Sequence, residues 1–447
     1  IPNRREDIMR TKTIEHHRAN WRTYPHTLHV RAVFSLFLSA LAMCMTAKAE
    51  GLIASNEPGW PQWRGPRRDG VSNETNILSV WPADGPTLLW KTEHLGRGWS
   101  SPIVVEDHIY ITGDVNDHLS VHCLDTAGTT KWRVTNGEAW KGPYPGSRAS
   151  CAYSNGRLYH LNAHGRLACL EVQNGNELWA VNILDRFGAK NITWALSECV
   201  LVDADRVIVT PGGPRTLMAA LDKESGRTIW TTPPIAKDQA SHSSPILFEW
   251  ADRRIIANCS SAHGFGVDAD SGEMLWTVPL KNPHGVNAAT PIYQSGVIFY
   301  VTPYAELGRA YQIAGYDTDV TVEHLWTCPL DTVTGSGVLV ENTLFAAGYK
   351  SSKWWFAVDW RTGKTKYVFK GLTTGAPLWA DGLMYCLDER GTVALIEPVD
   401  TAFRVRGRFR LPVAAKTRDA WAHPVINAGR LYLRYHDRMW CYDIQAR

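Results

Sequence analysis

An all-β fold is predicted by three recurrences in the chain. An Asp–turn–Gly phrase is followed four residues later by an aromatic. Pairs of residues eight apart bracket short hairpin turns, and the two termini complete one another. Together they describe four-stranded antiparallel sheets arranged in a closed ring, an eight-bladed β-propeller with its last blade closed by an N-terminal strand.

The first recurrence is carried by Gly128/Trp132, Gly175/Trp179, Gly226/Trp230, Gly272/Trp276 and Gly363/Tyr367. The phrase "LDKESGRTIW", residues 221 to 230, is typical. An Asp carboxylate accepts the N–H groups of its own turn, Gly takes a positive φ, and the aromatic emerges on the outgoing strand. The 20 tryptophans of the 447-residue chain reflect this repeated use.

The second recurrence is the spacing Pro102/Tyr110, Cys151/Tyr159, Pro291/Phe299, Gly337/Phe345, Pro377/Tyr385 and Pro424/Tyr432. Each pair encloses a turn such as "SNG", "QSG", "ADG" or "NAG" between alternating apolar residues, which predicts two strands joined by a hairpin. Adding the Asp–turn–aromatic hairpin gives four strands per unit. Pro102, Cys151, Cys199, Pro245, Pro291, Gly337, Pro377 and Pro424 mark eight innermost strands. Two positions before them stand Ser100, Ala149, Ser197, Ser243, Ala289, Gly335, Gly375 and Ala422, all small, as crowding at an axis requires.

The third recurrence concerns the ends. The last unit stops at Asp443, where an aromatic strand should follow, and "PTLLWKT", residues 86 to 92, has the form of that missing strand. Paired into blade 8, it would hide both open edges. The propeller is therefore assigned to residues 86–447, preceded by an N-terminal extension over 50–85. Residues 1–49 read as a signal peptide and leader: basic residues, an apolar run from Ala32 to Met45, and Ala47-Lys48-Ala49, with cleavage expected after Ala49. The run is too short to span a bilayer. An exported, periplasmic or extracellular location is the expectation.

The leader holds eight of the 47 basic and three of the 44 acidic residues, so the remainder carries a formal net charge of −2 rather than the whole chain's +3. No global field for nucleic acid remains. Eight cysteines follow the leader. Cys123, Cys169 and Cys441 fall where other repeats place Ala220, Gly266, Gly315 and Ala357, so these cysteines read as buried free thiols filling a small-residue position.

The Asp–turn–Gly-x-x-x-Trp repeat, the eight units and the terminal closure resemble the PQQ-like (pyrroloquinoline-quinone-like) propeller family. It includes quinoprotein alcohol dehydrogenases and a lipoprotein scaffold of the outer-membrane assembly machine. "WPQWRGPRRDG", residues 60 to 70, resembles the start of exported bacterial members, and the resemblance covers about residues 60 to 447. It implies PQQ with Ca²⁺ as a possible cofactor. The vicinal cysteine pair that the dehydrogenases hold against the quinone has no counterpart, since no two cysteines are adjacent, and no C-x-x-C-H haem motif occurs. Glu198 and Asn287 are the carboxylate and amide a channel could offer to calcium.

The loops leading to the innermost strands supply further candidates. Five hold a lysine eight to ten residues before the strand marker: Lys141, Lys190, Lys237, Lys281 and Lys416. Superposition of the repeats would bring them to one rim, beside Arg97, Trp99, Arg148, Trp194, His242, Arg418, Trp421 and His423. Cations among aromatic faces suit an anionic ligand, a carbohydrate or an acidic protein loop, although loop lysines are ordinarily just solvated. No P-loop, zincin, nucleophile elbow or metal-spaced cluster occurs. The expected function is thus a binding or assembly scaffold, monomeric, with a protein or carbohydrate partner at the loop face and no nucleic acid. The alternative is a PQQ-dependent alcohol dehydrogenase, with Trp99, Trp194 or Trp421 stacking on the quinone and Glu198 near a metal.

Overall fold

The computed structural model describes residues 51–304, 307–315, 319–334 and 336–446; the leader and its cleavage site lie outside the described residues. Eight antiparallel sheets follow one another around a ring, each built in chain order from the innermost strand to the outermost. We number the blades by residue span: 1 (103–138), 2 (152–182), 3 (201–231), 4 (246–279), 5 (292–328), 6 (338–369), 7 (375–410) and 8 (425–443). Blade 8 takes its outer strand from Thr87–Thr92, with Leu88 opposite Tyr442 and Trp90 opposite Cys441. Four strands per blade holds except in blade 4, where Gly51–Leu52 adds a two-residue strand against Glu249 and Phe248.

The tryptophans do not cover the glycine four residues before them in sequence. Where the next blade carries such a glycine, the tryptophan covers that one instead. Trp90, Trp132, Trp179 and Trp230 lie over Gly128, Gly175, Gly226 and Gly272, and donate Nε1–H to Thr126, Val172, Lys223 and Ala269 carbonyls of those same turns. At Gly226, φ is +68° and an added Cβ would stand 2.8 Å from Trp179 Cε3, so the position excludes any side chain on two counts. The indole also needs room within its own blade. Cys123, Cys169, Ala220 and Cys441 stand opposite Trp132, Trp179, Trp230 and Trp90. In blade 5 that place belongs to Ala310, opposite Trp326; Gly315, assigned to it from sequence, lies beyond the strand Gly308–Ala314. The eight cysteines that follow the leader are all free and buried.

Every outer strand skips one residue in its ladder, the one preceding the aromatic in blades 1 to 6 and in blade 8. This bulge explains why the Gly-to-aromatic spacing is constant. It also breaks the outermost edges that would otherwise template pairing with another chain. Leu89, Leu178, Ile229 and Leu325, four of the residues at the skip, are among the large apolar side chains left exposed. Blade 7 has no aromatic here. Trp81 of the N-terminal extension takes the place, packing on Gly407, donating its backbone N–H to Arg406 O, and lying 5.7 Å from both Tyr385 and Phe409 rings.

The extension continues to the axis. Residues 60–72 cross the end of the channel on the side of the hairpin turns and touch all eight blades. Trp60 exchanges backbone hydrogen bonds with Val104, Pro61 accepts from Tyr153 N, and Gly70 and Ser72 bracket Trp379. Trp63 Nε1 donates to Thr290 Oγ1, and its ring lies 4.3 Å from His423. Arg68 donates to Pro245 O (2.6 Å), Cys199 O (2.6 Å) and Val200 O (3.1 Å), and Arg64 to Gly337 O (2.6 Å). The carbonyls at the start of the innermost strands have no further strand to pair with, and the two buried guanidiniums satisfy them.

Above this plug, hydroxyls join neighbouring blades around the axis. Ser150 Oγ accepts from Ser101 N, Ser244 Oγ from Cys199 N, Ser336 Oγ from Thr290 N and Ser101 Oγ from His423 N. The apolar core is a succession of inter-blade seams, for instance blades 2 with 3, 4 with 5, and 5 with 6. Among the described residues no helix is long and apolar enough to cross a membrane.

Candidate functional site

The plug turns the channel into a blind cup of about 850 Å³. Trp63 and His423 lie at its base; its walls come from the loops that enter each innermost strand and from those joining second to third strands. Loops of the first kind start at the outermost strand and run inward. Mostly their last few residues reach the axis, and the sequence candidates divide largely accordingly.

Trp99, Arg148, Trp194, His242, Arg418, Trp421 and His423 line the cup, together with Lys416. Lys141, Lys190, Lys237 and Lys281 do not. They sit early in their loops and are exposed, and Lys141 is held by Asp117 at 2.7 Å. The rim of five converging lysines is thus corrected to one. Arg97 is exposed too, its backbone paired with Asp114, outside the lining. Tyr304, Tyr349, Lys350, Lys353, Glu389 and Tyr435 line the cup from second-to-third-strand loops that carry no repeat signature.

The aromatic faces form two groups. Trp99 and Trp421 stack at 5.3 Å and 28°, with Tyr144 tilted onto Trp421 at 5.6 Å. Trp194, His284 and Tyr304 make successive edge contacts on the other side. Arg148 lies 5.3 Å from the Trp99 ring, but its donors hold the Pro143, Tyr144 and Gly146 carbonyls, so it clamps its own loop. The buried Asp331 carboxylate accepts from Tyr349, Lys350 and Ser351 N–H groups and fixes that loop.

Among the described residues, both carboxylates lining the cup are already engaged. Glu389 accepts from Lys353 Nζ at 2.7 Å, and Asp419 from His436 Nε2 (3.0 Å) and Tyr435 OH (3.2 Å). Lys350, Lys416 and Arg418 are exposed and have no carboxylate partner among the described residues. The mouth therefore presents an excess of positive charge beside apolar ring faces. Ser197 Oγ and His242 Nδ1 are hydrogen-bonded at 2.9 Å. Burial, then the Arg148 charge, pushes this imidazole down to about 4, so it is too weak a base to activate a hydroxyl at neutral pH.

Glu198 and Asn287 test the calcium-quinone expectation. Glu198 is 3% exposed, and its carboxylate accepts from Thr210 N (2.7 Å), Thr210 Oγ1 (2.6 Å) and Asn258 Nδ2 (3.1 Å). Burial, opposed by those bonds and by Arg68, raises it to about 7. Asn287 spends its amide N–H groups on Ser260, Ser261 and Leu280 carbonyls. Neither side chain lines the cup. A metal-bound quinone centre using these two groups does not fit, and the described residues contain no cluster of three or more His, Cys, Asp or Glu placed to hold a metal. The ring faces and cations suit a flat anion without it.

Fold and site define an eight-bladed propeller with an internally plugged channel and one basic, aromatic mouth. The family model described as outer membrane protein assembly factor BamB, built on PQQ-like repeats, matches residues 117–366, more than half of the chain, and the chain belongs to that family. The dehydrogenase subunit of a quinone alcohol dehydrogenase from Komagataeibacter europaeus is 27% identical over 187 residues, 39% of this chain; a like-named subunit from Gluconacetobacter polyoxogenes is 27% identical over 195 residues, 40% of this chain. The chain spans about a quarter of the length of these curated relatives, 24% and 25%. Among solved structures, BamB from Moraxella catarrhalis has a TM-score of 0.56 at 14% identity, covering 81% of this chain and 98% of its own. The quinohemoprotein alcohol dehydrogenase from Comamonas testosteroni has a TM-score of 0.61 at 13% identity, covering 87% and 81%. At these identities the likeness shows the fold alone.

Proposed function

We propose that the protein is an exported binding or assembly scaffold whose cup receives an anionic ligand or an anionic part of a partner. One observation carries this reading: among the described residues, Lys350, Lys416 and Arg418 have no carboxylate partner, and the two carboxylates lining the same mouth are engaged by Lys353, His436 and Tyr435. Exposed cations of this kind, beside ring faces that exclude water, attract and retain negative charge. Membership of an assembly-factor family supports a non-catalytic role, and the leader pattern supports export. The test is tryptophan fluorescence and calorimetry of the purified chain against polyglutamate and neutral polymers, with Lys350→Gln/Lys416→Gln as the control. Saturable binding of the anion that the double variant loses supports the reading; equal behaviour of charged and neutral polymers refutes it.

A quinone-dependent alcohol dehydrogenase is the second reading, favoured by the 187-residue likeness to quinone dehydrogenase subunits and by the Trp99–Trp421 stack. It requires a metal seat other than Glu198 and Asn287. Incubation with PQQ and Ca²⁺ followed by dye-linked alcohol oxidation decides it: turnover would displace the scaffold reading.

A further inference from the structure

The identity of the anion can be narrowed further, on the basis of the proposed anion-binding cup. Among the described residues, three that line the cup each carry a buried polar atom without a hydrogen-bond partner, namely Trp421 Nε1, His423 Nε2 and Thr334 Oγ1, although the His423 ring also meets the Thr334 backbone. His423 is only 4% exposed, and burial followed by the Arg64 charge drives its imidazole down to about 3, so it is neutral at any physiological pH. A buried polar group left unsatisfied destabilises the site, and a ligand group that reaches it removes that penalty. Uncharged donors and acceptors of this sort match hydroxyls better than carboxylates. The surrounding wall adds Ser197, Ser244, Ser336 and Thr417.

Three demands thus coincide in one cavity. Trp421, partly exposed beside Trp99 and Tyr144, offers an apolar ring surface against which a flat ligand face can lie. Several hydroxyls are needed for the orphaned atoms, and negative charge for Lys350, Lys416 and Arg418. A pyranose ring bearing a carboxylate meets all three: its axial C–H face is apolar, its hydroxyls radiate from the edge, and its acid group projects to one side. An acidic peptide meets fewer. Peptides are held chiefly by main-chain pairing at a free strand edge or by side-chain pockets along a groove. Here carbonyls at the innermost strands, Cys199, Pro245 and Gly337 among them, are already taken by Arg64 and Arg68.

We propose that the cup binds the end of an acidic oligosaccharide, with a uronate ring stacked on Trp421, its hydroxyls on His423 and Thr334, and its carboxylate at the Lys350, Lys416 and Arg418 arc. Its volume of about 850 Å³ is in the range of sites that enclose a ligand of a few rings.

Calorimetry with the full chain tests this, using trimers of galacturonate, glucuronate and mannuronate, the methyl esters of each, and hexaglutamate. At least one acid trimer should bind saturably. Esterification should weaken it about tenfold or more, and raising salt from about 0.05 to 0.5 M should weaken it further. The exposed-site double variant Lys350→Gln/Lys416→Gln should lose about tenfold without a change in Tm. Trp421→Ala should abolish binding, while Trp421→Phe, which keeps a flat face, should retain it to within about fivefold. An ester that binds as tightly as its acid overturns the proposal, as does failure of all three trimers. If hexaglutamate binds in their place and loses affinity in the double variant, the anion-binding reading stands and the saccharide assignment falls. If neither class binds, both fall.

Discussion

Replacing Arg68 by Met should unlock the plug. Arg68 is 2% exposed and donates four hydrogen bonds, to Pro245 O, Cys199 O and Val200 O on blades 3 and 4 and to Gln62 Oε1 within the plug. Burial, partly opposed by the nearby Cys199 and Glu198, lowers its pKa from 12.5 to about 10, a net penalty of about 3 kcal/mol for holding the cation there. The bonds offset that cost. Met removes the charge and its desolvation but leaves three strand-end carbonyls and a glutamine oxygen unpaired, at roughly 1–3 kcal/mol each before relaxation and water entry. A net loss of about 3–5 kcal/mol is expected, the usual result of removing one side of a buried charged network. Arg68→Lys retains the charge but not the fork, and should lose about half as much. Urea unfolding followed by near-ultraviolet circular dichroism measures the loss, and limited proteolysis within residues 51–72 reports whether the plug leaves first. If Arg68→Met unfolds within about 1 kcal/mol of the parent and the segment is cut no faster, the guanidinium does not hold the plug.

Three further outcomes follow. Glu198 carries a native pKa of about 7 against an ordinary 4.5, so the folded state keeps a proton that the unfolded chain releases. Stability should therefore fall by up to about 3 kcal/mol as pH rises through that window, and Glu198→Gln should flatten the slope, matching the parent near pH 5 and exceeding it near pH 8; identical slopes in thermal melts would exclude Glu198 as their source. Gly226→Ala, which forces a side chain into Trp179, should cost about 2–4 kcal/mol, against about 1 kcal/mol for Gly156→Ala, where φ is also positive but the nearest atom is 4.0 Å away; equal costs in denaturant titrations would mean that backbone strain alone matters. The eight buried cysteines should react with a thiol reagent only on unfolding, and reductant should leave Tm unchanged; a fall in Tm with reductant would reveal a disulfide.

What the sequence disclosed, and what it hid, follows from which positions the ring constrains. A closed stack of similar sheets demands the same small, apolar or aromatic residue at the same place in each unit, so the blade count, the innermost strands and the closure by Leu88 and Trp90 could be read by repetition. The cup was most legible where it borrows that register: Trp99, Arg148, His242, Trp421 and His423 lie within three residues of a strand marker and reach the axis. The lysines eight to ten residues away share a register as well, but for Lys141, Lys190, Lys237 and Lys281 it is the register of the periphery, and only Lys416 among them reaches the cup. Tyr349, Lys350 and Glu389 come from loops that differ in every blade, and no periodicity could point to them. Trp81 left one trace, because blade 7 has no aromatic where its neighbours have one, and a vacancy at that seam implies a donor from elsewhere in the chain.

Plug and cup place different demands on the sequence, which bears on how the molecule would tolerate change. The plug is held through main-chain carbonyls, so the blades it touches are free to vary in side chain while Arg64 and Arg68 are not. The cup is the reverse. Its floor is fixed by Trp63 and by the hydroxyl ring, and several wall residues pair across blades, but Lys350, Lys416 and Arg418 have no carboxylate partner among the described residues, so exchanging them should alter what is bound and leave the ring intact. A protein built this way can keep one fold and change ligand through a handful of loop positions, and that is where the difference between a scaffold and a quinone enzyme on the same propeller has to reside.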